Sequence, residues 1–326
     1  MPLNVDEKYF GYDGFIWFIG VVEDINDPEQ ISRVKVRILG HHTEDKKTLK
    51  TKDMMWAVTM MPTTSASVSG VGISPSGLVK GSYVFGFWMD GEHAQRPVII
   101  GSWHGIPQDL ADPNVGFNDP DGVYPKEVNE PDTNKLARGE NTITDVIDGS
   151  INNPPSAYAA VYPHNKVYGT ESGHSVEFDD TPDAERIRIA HSSGTNIEIR
   201  PNGDVTQING NRWNITLGND QARVSGSLKI VVDGNADITV GNNAFMTVEN
   251  DVSATVGKTM NAIVGEKMNI DCPITNWTGD IKLTGNVEIS GTSSANGDHV
   301  SAGISGKGHV HTEQGDGADT SGPKLV

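Results

Sequence analysis

Between residues 208 and 272 one hydrophobic pattern returns every eight residues. Ile208, Thr216, Val224, Val232, Val240, Val248, Val256 and Val264 stand in register, and Cys272 falls on the next position. The two residues after each of these form a turn signal, as in Asn209-Gly210, Asp233-Gly234, Gly241-Asn242 and Gly265-Glu266. Every such pair contains Gly or Asn, which reach left-handed backbone conformations at low cost. Between turns apolar residues alternate with mostly polar ones: Leu228, Ile230, Val232; Ala236, Ile238, Val240; Met268, Ile270, Cys272. A period of two with one apolar face predicts half-buried strands.

Eight residues allow one short strand and one corner, so the repeat predicts a stack of strands. A single-chain coil of this length encloses only about three small side chains per row, and β-helices of one chain need longer coils. Three chains wound together would each supply one side of a triangular prism, hydrogen-bond neighbouring strands to one another and leave few open edges. The expected form is an obligate homotrimer with a triple-stranded β-helical shaft; a monomeric solenoid is the alternative.

Residues 1–108 predict a different architecture. Five runs rich in β-branched and aromatic residues, at 15–25, 33–39, 54–61, 82–89 and 97–103, are separated by Gly, Pro, Asn and Asp. About five strands in about 100 residues fit a small closed barrel of the oligonucleotide/oligosaccharide-binding (OB) type. Residues 109–165 form an acidic, proline-punctuated connector too short for an ordinary catalytic domain. Residues 166–290 are expected to form the shaft, with further strands at 175–178, 186–190 and 196–200 leading into the octads at 208–272. From 291 to 326 the chain is a Gly/Ser-rich tip that cannot build a large core.

Composition narrows the function. The 326-residue chain carries a formal net charge of −18 and one cysteine. That charge disfavours nucleic acid and anionic membranes as partners, and a single cysteine excludes an intrachain disulfide framework; Cys272 reads as a small inward residue. The N-terminus shows no signal-peptide pattern. Enzyme signatures are missing: there is no HExxH, P-loop or GxGxxG, and Gly72-Ile73-Ser74-Pro75-Ser76 lacks the closing glycine of a nucleophile elbow. Asp179, Asp180 and Glu185 sit beside Pro182 as turn-capping carboxylates. His41 and His42 read as solvated loop residues, and His299 as surface.

One constellation carries chemistry. His309 and His311 flank Val310, and residues i and i+2 of an extended segment share a face. On a threefold axis three such pairs would present six imidazole nitrogens, an octahedral set that suits Fe(II) or Ni(II) better than tetrahedral zinc. Such an ion would pin a polar tip that lacks a core.

Long strings in this chain resemble the central spike proteins of contractile phage tails and the related VgrG spikes of type VI secretion. They include RVKVRILGHHTEDK, GFWMDGEHAQRPVIIGSWHGIP, GVYPKEVNEPDTNKLARGE and YPHNKVYGTESGHSVEFDDTPDAERIRIAHSSGTNIEI, followed by octads of the family's VxG type. The resemblance implies an all-β protein: an OB barrel docked on a trimeric baseplate hub, then a triple-stranded β-helical needle. It also implies that His309 and His311 match an iron-binding tip motif, with one iron per trimer. Some relatives insert a lysozyme domain between barrel and shaft, which 109–165 cannot hold, so the expectation is a non-enzymatic spike. The chain starts at the barrel, whereas VgrG proteins carry a fused hub, so a separate hub polypeptide in a phage virion is expected. Further expected partners are the tail tube or a separate tip protein and, transiently, the host outer membrane. The alternatives are a cell-wall hydrolase without a recognisable domain and an effector-carrying secretion spike.

Overall fold

The computed structural model describes residues 15–118, 121–143, 151 and 153–309. Its described residues are organised almost wholly as strands, turns and irregular chain, with two 3₁₀ turns at Thr51–Asp53 and Gly91–His93. The chain divides into two compact units, residues 1–238 and 239–326.

The first unit begins with a closed barrel. Strands β1 (Trp17–Asp24), β2 (Val34–Ile38), β3 (Trp56–Thr59), β4 (Tyr83–Trp88) and β5 (Pro97–Trp103) close in the order β1-β2-β3-β5-β4. β4 returns to pair with β1, and only β3 and β5 run parallel. These segments fall within the five runs expected from the sequence. Their inward residues, among them Phe18, Val22, Val36, Val84, Trp88 and Ile99, form one buried cluster. Closure requires near contact between strands at Gly86, where a Cβ would lie 2.3 Å from the Val98 carbonyl oxygen and 2.5 Å from Phe18. Gly86 also borders the bulge in the β4–β5 ladder, and bulges of this kind bend strands around small barrels.

β2 departs from simple alternation, because all five of its residues are buried. Arg37 is fully buried and forms an ion pair with fully buried Glu23 at 2.5 Å. Its guanidinium also donates to the carbonyls of Thr43 (2.6 Å) and Leu49 (2.7 Å), and Thr51 Oγ1 donates to Glu23 at 2.5 Å. Nearly every polar group of the pair is therefore matched, which buried charges require. The cover comes from the connector: Gly116 lies so close to Arg37 that any Cβ would overlap its side chain.

The described parts of the connector are tied down by hydrogen bonds and burial. Gly116 N–H donates to the Glu44 carbonyl at 2.7 Å, Asp132 N–H donates to the Gly105 carbonyl while Gly105 N–H donates to the Asp132 carboxylate, and Ala137 and Ala160 are buried. It leads to a five-stranded antiparallel meander, β6 (Asn165–Gly169), β7 (Ser175–Asp179), β8 (Arg186–Ala190), β9 (Asn196–Ile199) and β10 (Val205–Gln207). β7, β8 and β9 coincide with expected strands; β6 and β10 are additional.

From 208 to 299 the described chain holds no strand of its own. It bends instead at 209–210, 217–218, 225–226, 233–234, 241–242, 249–250, 257–258 and 265–266, the octad turn pairs. In the second unit the octads are followed by a small hairpin, β11 (Val300–Ser301) with β12 (Ile304–Ser305), closed by Gly306 N–H on the His299 carbonyl at 2.7 Å.

Candidate functional site

Alternation in the meander sheet separates two faces of opposite character. One carries Asn165, Ser175, Glu177, Asp179, Arg186, Asn196 and Glu198, all buried. The other carries Tyr168, Phe178, Ile187, Ile189, Ile197 and Ile199, exposed to between 40% and 71%. A soluble sheet ordinarily buries its apolar face and wets its polar one. Here the polarity is reversed.

The buried charges are paired with one another and with the connector. Arg186 pairs with Glu177 and lies 3.6 Å from Asp179 and 3.7 Å from Glu198. Arg188 bridges Glu177 at 3.5 Å and Glu198 at 3.4 Å. The connector lies across them: Ser156 Oγ donates to Glu198 (2.8 Å), Arg200 donates to the Pro155 carbonyl, and the Tyr158 ring stacks 4.7 Å from the Arg186 guanidinium. Asn165 Nδ2 donates to both Glu177 and the Leu136 carbonyl at 3.0 Å. Asp179 accepts from Thr181 N–H and Oγ1, so it caps its turn as expected, while exposed Asp180 pairs with Lys166. The Lys166 contact holds the Asp180 carboxyl below the usual range.

At one end of the apolar face His174, just before β7, and His191, just after β8, have ring centroids 4.4 Å apart. Each Nδ1 accepts a backbone N–H, from Ser192 and Ser193 respectively.

The octads repeat the same exposure. Val224, Val232, Val240, Val248, Val256 and Val264 are each about half exposed, between 47% and 53%, one per eight residues. Ile230, Ile238 and Met246 on the same parity are more exposed still. Cys272 is exposed, with its sulfur 3.0 Å from Thr275 Oγ1. The meander face and the octads each leave apolar side chains in water, which monomers ordinarily avoid.

Of the two residues proposed as metal ligands, His311 lies outside the described residues. His309 follows the small hairpin, and its Nδ1 lies 2.9 Å from the Ser305 carbonyl. Only an N–H can approach a carbonyl in this way, so the bond places the ring's lone pair on Nε2, the tautomer and orientation typical of a ligating imidazole. The donor chemistry of His309 therefore fits a metal site.

The structure corrects the reading of His42 as merely solvated, while His41 is exposed as expected. His42 Nδ1 accepts the Ile38 N–H at 2.9 Å, and partial burial followed by the nearby Arg37 charge lowers its pKa. His41 packs edge-on against Trp88, with centroids 5.3 Å apart. Both secure the corner after β2.

The fold defines an all-β protein built on an OB-type barrel. Residues 40–186 match the family described as the Gp5 N-terminal OB domain. The chain is 36% identical over 274 residues to Protein Gp5 of Vibrio phage KVP40, covering 69% of this chain and 65% of the relative. It is 37% identical over 128 residues to the pre-baseplate central spike protein Gp5 of Enterobacteria phage T4, covering 38% of this chain and 22% of the relative. The chain thus spans less than two thirds of the length of either relative. These matches bear out the resemblance to phage central spike proteins.

Proposed function

We propose that this protein is a homotrimeric spike of a phage baseplate, working mechanically rather than catalytically. The observation that carries the reading is the apolar display of the octads: half-exposed valines at one position in eight, with the chain bending at each intervening turn pair. Three copies winding about one axis would bury those valines and supply the strand partners that each chain lacks from 208 to 299. The reversed meander sheet also supports association, since its charged face is paired within the sheet and covered by the connector while its apolar face is exposed.

In this reading the barrel anchors the three chains to a trimeric hub at the end of the tail tube. The shaft transmits the force of sheath contraction to the tip and breaches the host outer membrane. His309 and His311 from three chains would hold an iron ion at that tip; the Ser305 contact of His309 supports the assignment. The ion would supply cross-linking of a segment that has no hydrophobic core.

Sedimentation equilibrium of the purified protein tests the central claim. A mass of about 105 kDa, three times 35.0 kDa, is expected; a 35.0 kDa monomer would remove the axis and with it the spike.

A further inference from the structure

A cleft of about 720 Å³ opens between the β4–β5 side of the barrel and the connector. It lies away from β2 and β3, the strands on which OB barrels usually bind their ligands. Tyr83 and Trp103, cross-strand neighbours at one end of the β4–β5 ladder, contribute ring surface from the barrel, and Tyr124 contributes it from the connector. Tyr83 and Trp103 remain 41% and 46% exposed.

The frame of the cleft is held by its own hydrogen bonds. Tyr83 Oη donates to the Phe117 carbonyl at 2.9 Å, and Tyr124 Oη donates to Glu171 at 3.2 Å. Gly105 N–H donates to the Asp132 carboxylate at 2.9 Å, and Asn129 N–H to the Pro107 carbonyl at 2.8 Å. The two tyrosine rings are therefore positioned before any ligand arrives, which reduces the ordering cost of binding.

The polar lining selects among ligands. Four carboxylates, from Asp109, Glu127, Glu130 and Asp132, face two lysines, Lys126 and Lys135. Lys135 sits 3.7 Å from both Glu127 and Glu130, and Lys126 lies over the Tyr124 ring at 5.6 Å, so neither cation stands apart as an anion receptor. The excess of acceptors repels phosphate and sulfate groups. Aromatic faces beside carboxylate and amide acceptors, with Gln108 and Asn118 also lining the cleft, suit a ligand with apolar ring faces and many hydroxyl donors. We infer that this cleft binds a neutral oligosaccharide, with pyranose rings against Trp103 and Tyr83 and hydroxyls donating to Glu127 and Asp109. Its volume accommodates about two to three sugar rings, within the range of ordinary small-molecule sites. The inference stands on the barrel and connector alone and does not depend on the trimer.

Isothermal titration of the full-length protein tests it, with triacetylchitotriose and cellotriose as probes that separate amino-sugar from plain hexose chains. Binding of at least one is expected, weakened about tenfold or more in Trp103→Ala and in Glu127→Gln. Glu127 is on an exposed part of the connector, so the second variant keeps the test intact if the first fails to fold. Absence of heat with both sugars would overturn the proposal. So would affinity unchanged in Glu127→Gln, or tighter binding of a sulfated oligosaccharide than of either neutral probe.

Discussion

Replacing Val240 by Asp gives a sharp measure of the octad register. Val240 is 50% exposed in the single chain. Full burial of a valine side chain is worth about 2 kcal/mol, so the half still exposed would contribute about 1 kcal/mol per chain, or about 3 kcal/mol per trimer. Aspartate forfeits that gain and adds a penalty of several kcal/mol for each carboxylate taken out of water without a partner. Three would meet at one level of the axis, so the total opposing assembly is on the order of 10 kcal/mol. Thr239→Asp is the matched control, because the adjacent residue has opposite parity and points to solvent in the same register. Sedimentation equilibrium at micromolar protein should show Val240→Asp largely dissociated and Thr239→Asp still trimeric. A Val240→Asp trimer with unchanged mass and melting temperature would refute the register, as would equal disruption by both substitutions.

Further outcomes follow from the barrel and the tip. Arg37→Met leaves the Glu23 carboxylate buried without its cation and should destabilise the barrel by about 3–5 kcal/mol; denaturant titration followed by tryptophan fluorescence measures it, and a loss below 1 kcal/mol would argue against the pair. His42 has a pKa lowered in the folded state, so the unfolded chain binds more protons than the folded one. Its contribution to stability is present above the ordinary imidazole pKa of 6.5 and is lost as pH falls through the lowered value. The melting temperature should decline between pH 8 and pH 5 less steeply in His42→Gln than in the parent. Replacing His309 and His311 together by Ala should remove iron measured by elemental analysis while leaving a trimer of normal mass; unchanged iron would reject the ligands.

The sequence was most readable where periodicity had one cause. The barrel strands follow alternation and turn residues closely, and β5 and β8 begin and end where their apolar runs do. The octad corners are visible because Gly and Asn recur at fixed offsets. β6 was missed because Asn165–Gly169 is short and offers Lys and Gly where a strand signal needs branched residues. Arg37 was illegible for a different reason: its place in alternation with Val34, Val36 and Ile38 reads as solvent-facing, and only the long-range return of Gly116 turns that side inward. The cleft depends on the same kind of fact, since Trp103 and Glu127 are brought together by hydrogen bonds between distant segments. His309 could be singled out from its spacing to His311, but the Ser305 carbonyl that selects its tautomer could not.

The meander sheet and the octads state one physical condition in two ways. In the octads alternation alone leaves the chain with an apolar side and nothing of its own to cover it. In the sheet the sequence does more: it places Glu177, Arg186, Arg188 and Glu198 on the face that an ordinary sheet would give to its core, and folds the connector over them. Those charges are paired locally, with Arg186 Nε and Nη1 and Arg188 Nε close to carboxylates but without a hydrogen bond. The isoleucines opposite have no local partner and retain the drive to associate. This arrangement makes the connector part of the assembly's logic, because loosening Tyr158 or Ser156 would expose an ion layer that competes with the apolar face for solvent exposure. Charge paired within the chain beside apolar surface left exposed is the division of labour expected of a subunit of an oligomer, as the proposed spike would be.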